Sequence, residues 1–156
     1  MTKMIWDYIR TAAACLGGWL GWYFGEMDGF FYTLLAFTIV DFITGVMAAW
    51  VDKELCSSVG YKGICRKVAI FILVGIAHIV DAYLIGAGSI LRNAVIFFYL
   101  ANEGVSIVEN AGKIGLPIPD KLKEALVQLK DKAQDAAEDA ATELKDKFKN
   151  DKEAGE

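Results

Sequence analysis

Apolar residues fill four long runs in the first two thirds of this chain, and a different pattern takes over after a short proline-containing break. The runs cover about 5–24, 30–51, 68–85 and 90–108. Each approaches the roughly 20 helical residues that a hydrocarbon core about 30 Å thick requires. The first is interrupted by Asp7, Arg10 and several glycines. The pattern therefore predicts four membrane-spanning helices, or three if the first segment fails to cross. Gly115-Leu116-Pro117-Ile118-Pro119 then ends the fourth run and starts a new element. Beyond it, Leu122, Leu126, Leu129, Ala133, Ala136, Ala140, Leu144 and Phe148 recur every three or four residues, the stripe of an amphipathic helix. The expected fold is an all-α membrane protein: a transmembrane helical domain over 1–115, and a charged cytoplasmic helical tail over 116–156.

Composition sharpens the division. The chain is 55% hydrophobic, above the roughly 45–50% of soluble domains. The net charge of −4 averages two different materials. From Asp120 onwards there are eight Lys against eleven acids, and the rest holds eight bases against nine acids. Neither part has the cationic surface that binds nucleic acid, so no nucleic-acid partner is expected. Cys15, Cys56 and Cys65 are too few and too irregular for a disulfide scaffold. Cys56 and Cys65 also lack zinc-site spacing. Ala12, Ala13 and Ala14 imitate a signal-peptidase site, but no apolar core precedes them, so no cleaved signal is expected.

Orientation follows from positive charge at the span ends. Lys53, Lys62, Arg66 and Lys67 mark the 52–67 connection as the cytoplasmic one. The turn with Glu26 and Asp28, and the turn Gly86-Ala87-Gly88-Ser89, then lie outside. Both termini are then expected in the cytoplasm, and if the first segment fails to cross, the N-terminus moves outside while the tail stays in. The tail helix could form a short coiled coil or pack against its own bundle. A net-negative helix is poorly suited to lying on an anionic membrane, and the preferred expectation is a solvated helix.

The polar residues inside the runs are arranged in stripes. Asp41, Thr44, Gly45 and Ala48 share one face of the second span. Arg92, Tyr99, Asn102, Glu103, Ser106 and Asn110 share one face of the fourth. Lys67, Gly75, His78 and Asp81 align roughly on the third. A charge at mid-span costs about 2.5–3.5 kcal/mol on insertion scales, so these faces must meet other helices, partners or water. At about 1.5 Å per residue, Asp81 and Arg92 sit near the same outer level and are expected to pair. Lys67 and Glu109 both fall near inner ends. Asp41 has no charged partner at its own depth and is expected to be protonated or water-facing. Interhelical glue and a water-lined or subunit-facing surface both remain open for the stripes. His78 has no second metal ligand near it in sequence, which favours packing or hydrogen bonding. Gly17, Gly21 and Gly25 form a small-xxx-small repeat that suits helix packing, against the alternative of a weakly inserted segment.

No catalytic, cofactor or metal site is expected: there is no nucleophile elbow, metal-ligand set or phosphate loop. The loop from Ser57 to Gly63 is too short for a catalytic domain, and its cations most simply anchor the cytoplasmic side against anionic headgroups.

In their order and spacing, Asp41-x-x-Thr44-Gly45-x-x-Ala48, Ser57-Ser58-x-Gly60-x-x-Gly63-x-x-x-Lys67, Asp81, Arg92, Tyr99, Asn102-Glu103-Gly104-x-Ser106-Ile107-x-Glu109-Asn110 and Gly115-Leu116-Pro117-Ile118-Pro119 form one set. In them the chain resembles the bacteriophage holin family that includes the clostridial toxin-secretion holins. The resemblance covers roughly residues 10 to 130. It implies a protein that accumulates in the bacterial cytoplasmic membrane, with membrane lipid and further copies of itself as partners. It would assemble there into lesions through which endolysin or a toxin leaves as a passenger. The family has no catalytic residues to carry over. Pore lining or subunit contact is the role the resemblance suggests for Asp41, Thr44, Gly45, Lys67, Asp81, Arg92, Tyr99, Asn102, Glu103, Ser106, Glu109 and Asn110, and His78 joins these candidates through its place on the third-span stripe alone. The charged tail lies largely outside the similar region.

Two other classes compete. A small-ion or proton channel, or a transporter subunit, could use Asp41, His78, Asp81 and Glu103 as a relay, although no inverted repeat is evident. A membrane scaffold recruiting a partner through its tail would lose function when residues after Asp120 are deleted, whereas a lesion former should keep some.

Overall fold

The structure is a computed structural model that describes residues 2–86 and 88–154. Ala87 of the expected outer turn lies outside the described residues, as do the side chains of Leu144 and Phe148 in the expected tail stripe. The described residues form five helices: α1 Thr2–Phe24, α2 Gly29–Val51, α3 Ser57–Val80, α4 Ile90–Lys113 and α5 Asp120–Ala154. Two stretches are long and apolar enough to cross a membrane, Gly29–Val51 and Gly60–Ile85.

Local chemistry sets the boundaries. Asp28 caps α2, its carboxylate accepting from the Phe31 N–H at 2.9 Å. α1 stops at Gly25, whose φ of +72° is a left-handed conformation that glycine adopts without strain. The 52–67 connection is shorter than expected. α3 starts at Ser57, after an extended Cys56, so Lys62, Arg66 and Lys67 lie on a helix rather than in a loop. At its other end α3 widens into a π turn over Asp81–Ile85, closed by a 2.9 Å bond from the Gly86 N–H to the Asp81 carbonyl.

α2, α3 and α4 pack together around Phe31, Leu34, Ile70, Val74 and Ile96. Outside this core the usual arrangement of a water-soluble protein is reversed. Ile39, Ile43 and Met47 of α2 and Ile64, Val68, Ile72 and Ile76 of α3 are exposed. Asp41, Asp81, Arg92 and Glu103 are buried. A surface so apolar needs a membrane or a partner to cover it.

Among the described residues, α1 meets the rest through Trp22, Tyr23 and Phe24 of its last turn. Tyr23 lies over Gly75 and donates to the Ile72 carbonyl at 3.0 Å, and the Trp22 indole donates to the Tyr83 hydroxyl at 3.1 Å. A Cβ at Gly75 would fall 2.0 Å from the Tyr23 ring. Gly75→Ala should therefore displace Tyr23 at a cost of about 1–3 kcal/mol. Thermal unfolding in detergent checks this, and Tyr23→Ala with Gly75→Ala together should lose little more than Tyr23→Ala alone.

α5 does not stand free as a solvated helix. It turns back along α4, with Leu126 against Gly104 at its start and Lys147 donating to the Ile85 carbonyl near its end. Ala133 and Ala140 are buried, while Leu122 and Leu129 of the same expected stripe stay exposed. The physical reason is α4 itself, whose Ala94, Phe97, Ala101 and Gly104 offer an uncharged track that an alanine-rich helix can approach. The outer face of α5 carries the exposed Asp131, Asp135, Glu138 and Asp139. That face requires water, since each charge taken to mid-bilayer costs about 2.5–3.5 kcal/mol.

Candidate functional site

Two charged clusters tie the helices together at opposite ends of the packed core. The first is built on α2, α3 and α4. Lys67 places its ammonium between the carboxylates of Asp41 and Glu103 and bonds both. Asp41 is 8% and Glu103 1% exposed, so little water competes for the cation. The Asn110 amide donates to Asp41 Oδ1 at 3.0 Å and approaches the Thr44 hydroxyl at 3.3 Å. Gly45 lies beside it, and a Cβ there would be in ordinary contact with Asn110 Nδ2 at 3.5 Å. Asp41 thus has the charged partner that counting residues along the helices denied it. Lys67 reaches it because the last turns of the former loop are helical. Lys67 bonds Asp41 and Glu103 rather than Glu109, which is exposed beside Lys123 and Leu126.

The second cluster receives Arg92. Its guanidinium donates to the Phe24 carbonyl at 2.9 Å, to the Glu26 carbonyl, and to Asp28 Oδ2 at 2.9 Å. Arg92 is 1% exposed. Asp81 is next to it, as depth suggested, but the two do not pair through the guanidinium. The Asp81 carboxylate instead accepts the backbone N–H groups of Leu91 at 3.1 Å and Arg92 at 2.7 Å. It caps the start of α4, where unsatisfied N–H groups and the helix dipole favour an anion. Partial burial by itself would raise the Asp28 carboxyl. Hydrogen bonds from Arg92 and the Phe31 N–H, with the guanidinium charge, hold it below the ordinary carboxylate value.

The remaining candidates stand apart from both clusters. Tyr99 packs against the apolar core, and Asn102 donates to the Phe98 carbonyl at 2.8 Å. Ser106 is half-buried on the same helix. His78 lies against Gly25, where a Cβ would come within 2.5 Å of the imidazole. Gly17 and Gly21 have nothing within 4 Å of where a Cβ would sit, so within this chain they pack against no other helix. Of the three glycines only Gly25 makes a close contact, as a helix terminator. Sequence reasoning missed Asp28 and the two carbonyls that complete the Arg92 site. The signal was present in Asp28-Gly29 before an apolar run, a capping residue at a helix start.

Among the described residues every fully buried side-chain nitrogen or oxygen has a hydrogen-bond partner. Two acids around one ammonium, and an arginine wrapped by carbonyls, can hold helices in register.

Comparison with known proteins gives the chain its relatives. The model of the bacteriophage holin family matches residues 18–131. A protein of Clostridium perfringens, described as an uncharacterized 14.9 kDa protein, is 41% identical over 81% of this chain and 96% of its own length. An uncharacterized protein of Listeria monocytogenes is 45% identical over 71% of this chain and 79% of its own. A protein of Bacillus phage phi105 described as a probable holin is 39% identical over 66% of this chain and 75% of its own. No solved structure matches.

Proposed function

We propose that this chain, which belongs to the bacteriophage holin family, oligomerises in a bacterial cytoplasmic membrane and opens lesions that release endolysin or a toxin. One observation supports this most: charge is collected inside the helix bundle and apolar surface faces out. Asp41, Arg92, Glu103 and Asp81 are buried, whereas Ile39, Ile43, Ile72 and Ile76 are exposed. Lipid would cover that outer surface at no cost, while water would not.

In this proposal α1 to α4 cross the bilayer. The turns at 25–28 and 86–89 face outward, and the short connection at 52–56 and the start of α5 face the cytoplasm, where Lys53, Lys62 and Arg66 meet anionic lipid. The bundle is closed by charge pairs in the single chain. Assembly enlarges it until polar faces line water instead of one another.

Inducible expression beside a cell-wall hydrolase that lacks an export signal tests this reading. Abrupt, delayed clearing of the culture that needs both proteins is the expected outcome. Undisturbed growth, with the chain confirmed in the membrane, would overturn it. The Asp41, Lys67 and Glu103 cluster also favours a second reading, a proton or small-ion channel, because two acids share one cation. Steady conductance in viable cells would select that reading.

A further inference from the structure

α5 retraces α4 from one end to the other. Near its start Leu126 lies against Gly104 and shares a small cavity with Val105 and Val108. Halfway along, Ala133 and Ala136 line a groove of about 320 Å³ with Ala94, Phe97 and Ala101. Near its end Ala140 and Lys147 lie beside Ile90 and Leu91, and the Lys147 ammonium donates to the Ile85 carbonyl. The two helices therefore occupy the same depth, from the level of Glu109 to that of Leu91.

The face that α5 turns away from α4 is charged, with Asp131, Asp135, Glu138 and Asp139 exposed on it. Water stabilises those groups and hydrocarbon does not. Among the described residues, α2 and the stretch Gly60–Ile85 are the segments long and apolar enough to cross a membrane, and their exposed Ile39, Ile43, Ile72 and Ile76 suit lipid. α4 is fastened to them by the Lys67–Glu103 and Arg92–Asp28 pairs, so it enters with them. An α4 that crosses with α5 still docked carries the four acids through the bilayer beside it. An α4 that has shed α5 offers lipid Ala94, Phe97 and Ala101, which have no charge. Docked α5 and a lipid-facing α4 thus exclude each other. The contact is also easily given up, because the alanines of α5 leave the groove beside Ala133 unfilled and contacts to α4 unmade.

We propose that α5 docked on α4 is an autoinhibitory strap: while it is in place α4 stays out of the bilayer, and α4 crosses only after α5 has left it for cytoplasmic water. The proposal rests on the reading that the chain inserts and opens lesions, and it adds the step that holds insertion back. Control lies in the alanine face of α5 around Ala133 and in the stretch of α4 from Ala94 to Gly104.

The test uses the full chain with Cys15, Cys56 and Cys65 replaced by serine. Ala101 and Ala133 are 1% and 7% exposed while α5 is docked. In mild detergent the A133C thiol should react slowly with a maleimide, and in lipid vesicles about tenfold faster or more, because α5 has left α4. A133C as protected in vesicles as in detergent would overturn the proposal. So would A133C that reacts in detergent at the rate of an exposed thiol. The double variant A101C/A133C, oxidised in detergent, should close a disulfide within one chain and lock the strap. Added to dye-loaded vesicles, the locked chain should release dye at about one tenth of the reduced chain's rate or less, and a reductant added later should restore release. Locked and reduced chains that release dye alike would contradict the strap, as would a bond that does not close. Faster labelling of A133C in vesicles, with no dye released by the reduced chain, would instead reject the lesion-forming reading and leave the release of α5 standing.

Discussion

Lys67→Met is expected to destabilise the helix bundle by about 3–5 kcal/mol, the usual consequence of removing one partner from a buried ionic cluster. Lys67 is the cation that bonds both Asp41 and Glu103. Without it two carboxylates face each other in a space where Glu103 is 1% exposed. They would have to take up protons or push α2 and α4 apart. Asp41→Asn should be much milder, because one ammonium and one carboxylate remain and the amide can still accept from Asn110. Replacing Asp41, Lys67 and Glu103 together by Asn, Met and Gln should recover much of the loss, since no charge is then left without a partner. Thermal unfolding followed by helical circular dichroism in detergent ranks the three variants. Lys67→Met as mild as Asp41→Asn would contradict the cluster as described.

Arg92→Gln is the second large effect, at about 3 kcal/mol. The guanidinium satisfies the Phe24 and Glu26 carbonyls and the Asp28 carboxylate from one position, and so fastens α4 to the turn between α1 and α2. A glutamine amide is shorter, uncharged and has only two donors. Arg92→Lys should recover little, because an ammonium lacks the planar fork that serves several acceptors in fixed directions. The loss has a pH signature. The folded Asp28 carboxyl lies below its ordinary value, so the pair stabilises the fold above the unfolded carboxylate range. That contribution fades as pH falls through the lowered folded value. Acid should therefore remove from the natural chain a component of stability that Arg92→Gln already lacks, and unfolding profiles compared between about pH 3 and pH 7 would show the two curves converging at the acid end.

The helices themselves were legible because their signals are long. Twenty-odd apolar residues in α2, the Asp28 cap before it, and the Pro117 and Pro119 break before α5 leave few alternatives. The start of α3 was not legible. Ser57, Ser58, Gly60 and Gly63 carry weak helix propensity, and packing overrode it: a Cβ at Gly63 would meet the Phe42 ring at 3.4 Å, so this turn already lies against α2. That misplacement concealed the partner of Asp41, since Lys67 was counted at the end of a span rather than along a helix.

The stripes of Asp41, Lys67 and Glu103 were visible as periodicity. Which stripe meets which depends on how helices are rotated about their axes, and a single sequence does not encode that by spacing. The same limit applies to Asp81 and Arg92. Their common depth was readable, but the choice between side chain and backbone depended on a π turn over Asp81–Ile85 that no short motif announces. For α5 the apolar stripe was readable and its target was not, because a thin alanine face fits any uncharged helix with small residues.

The size of what crosses the membrane tests lesion formation most directly. Purified chain reconstituted into vesicles loaded with a small dye and a folded enzyme should, after a delay that shortens with protein density, release both together. Release of the dye alone, at every density and with the enzyme retained, would contradict a lesion wide enough for a cell-wall hydrolase.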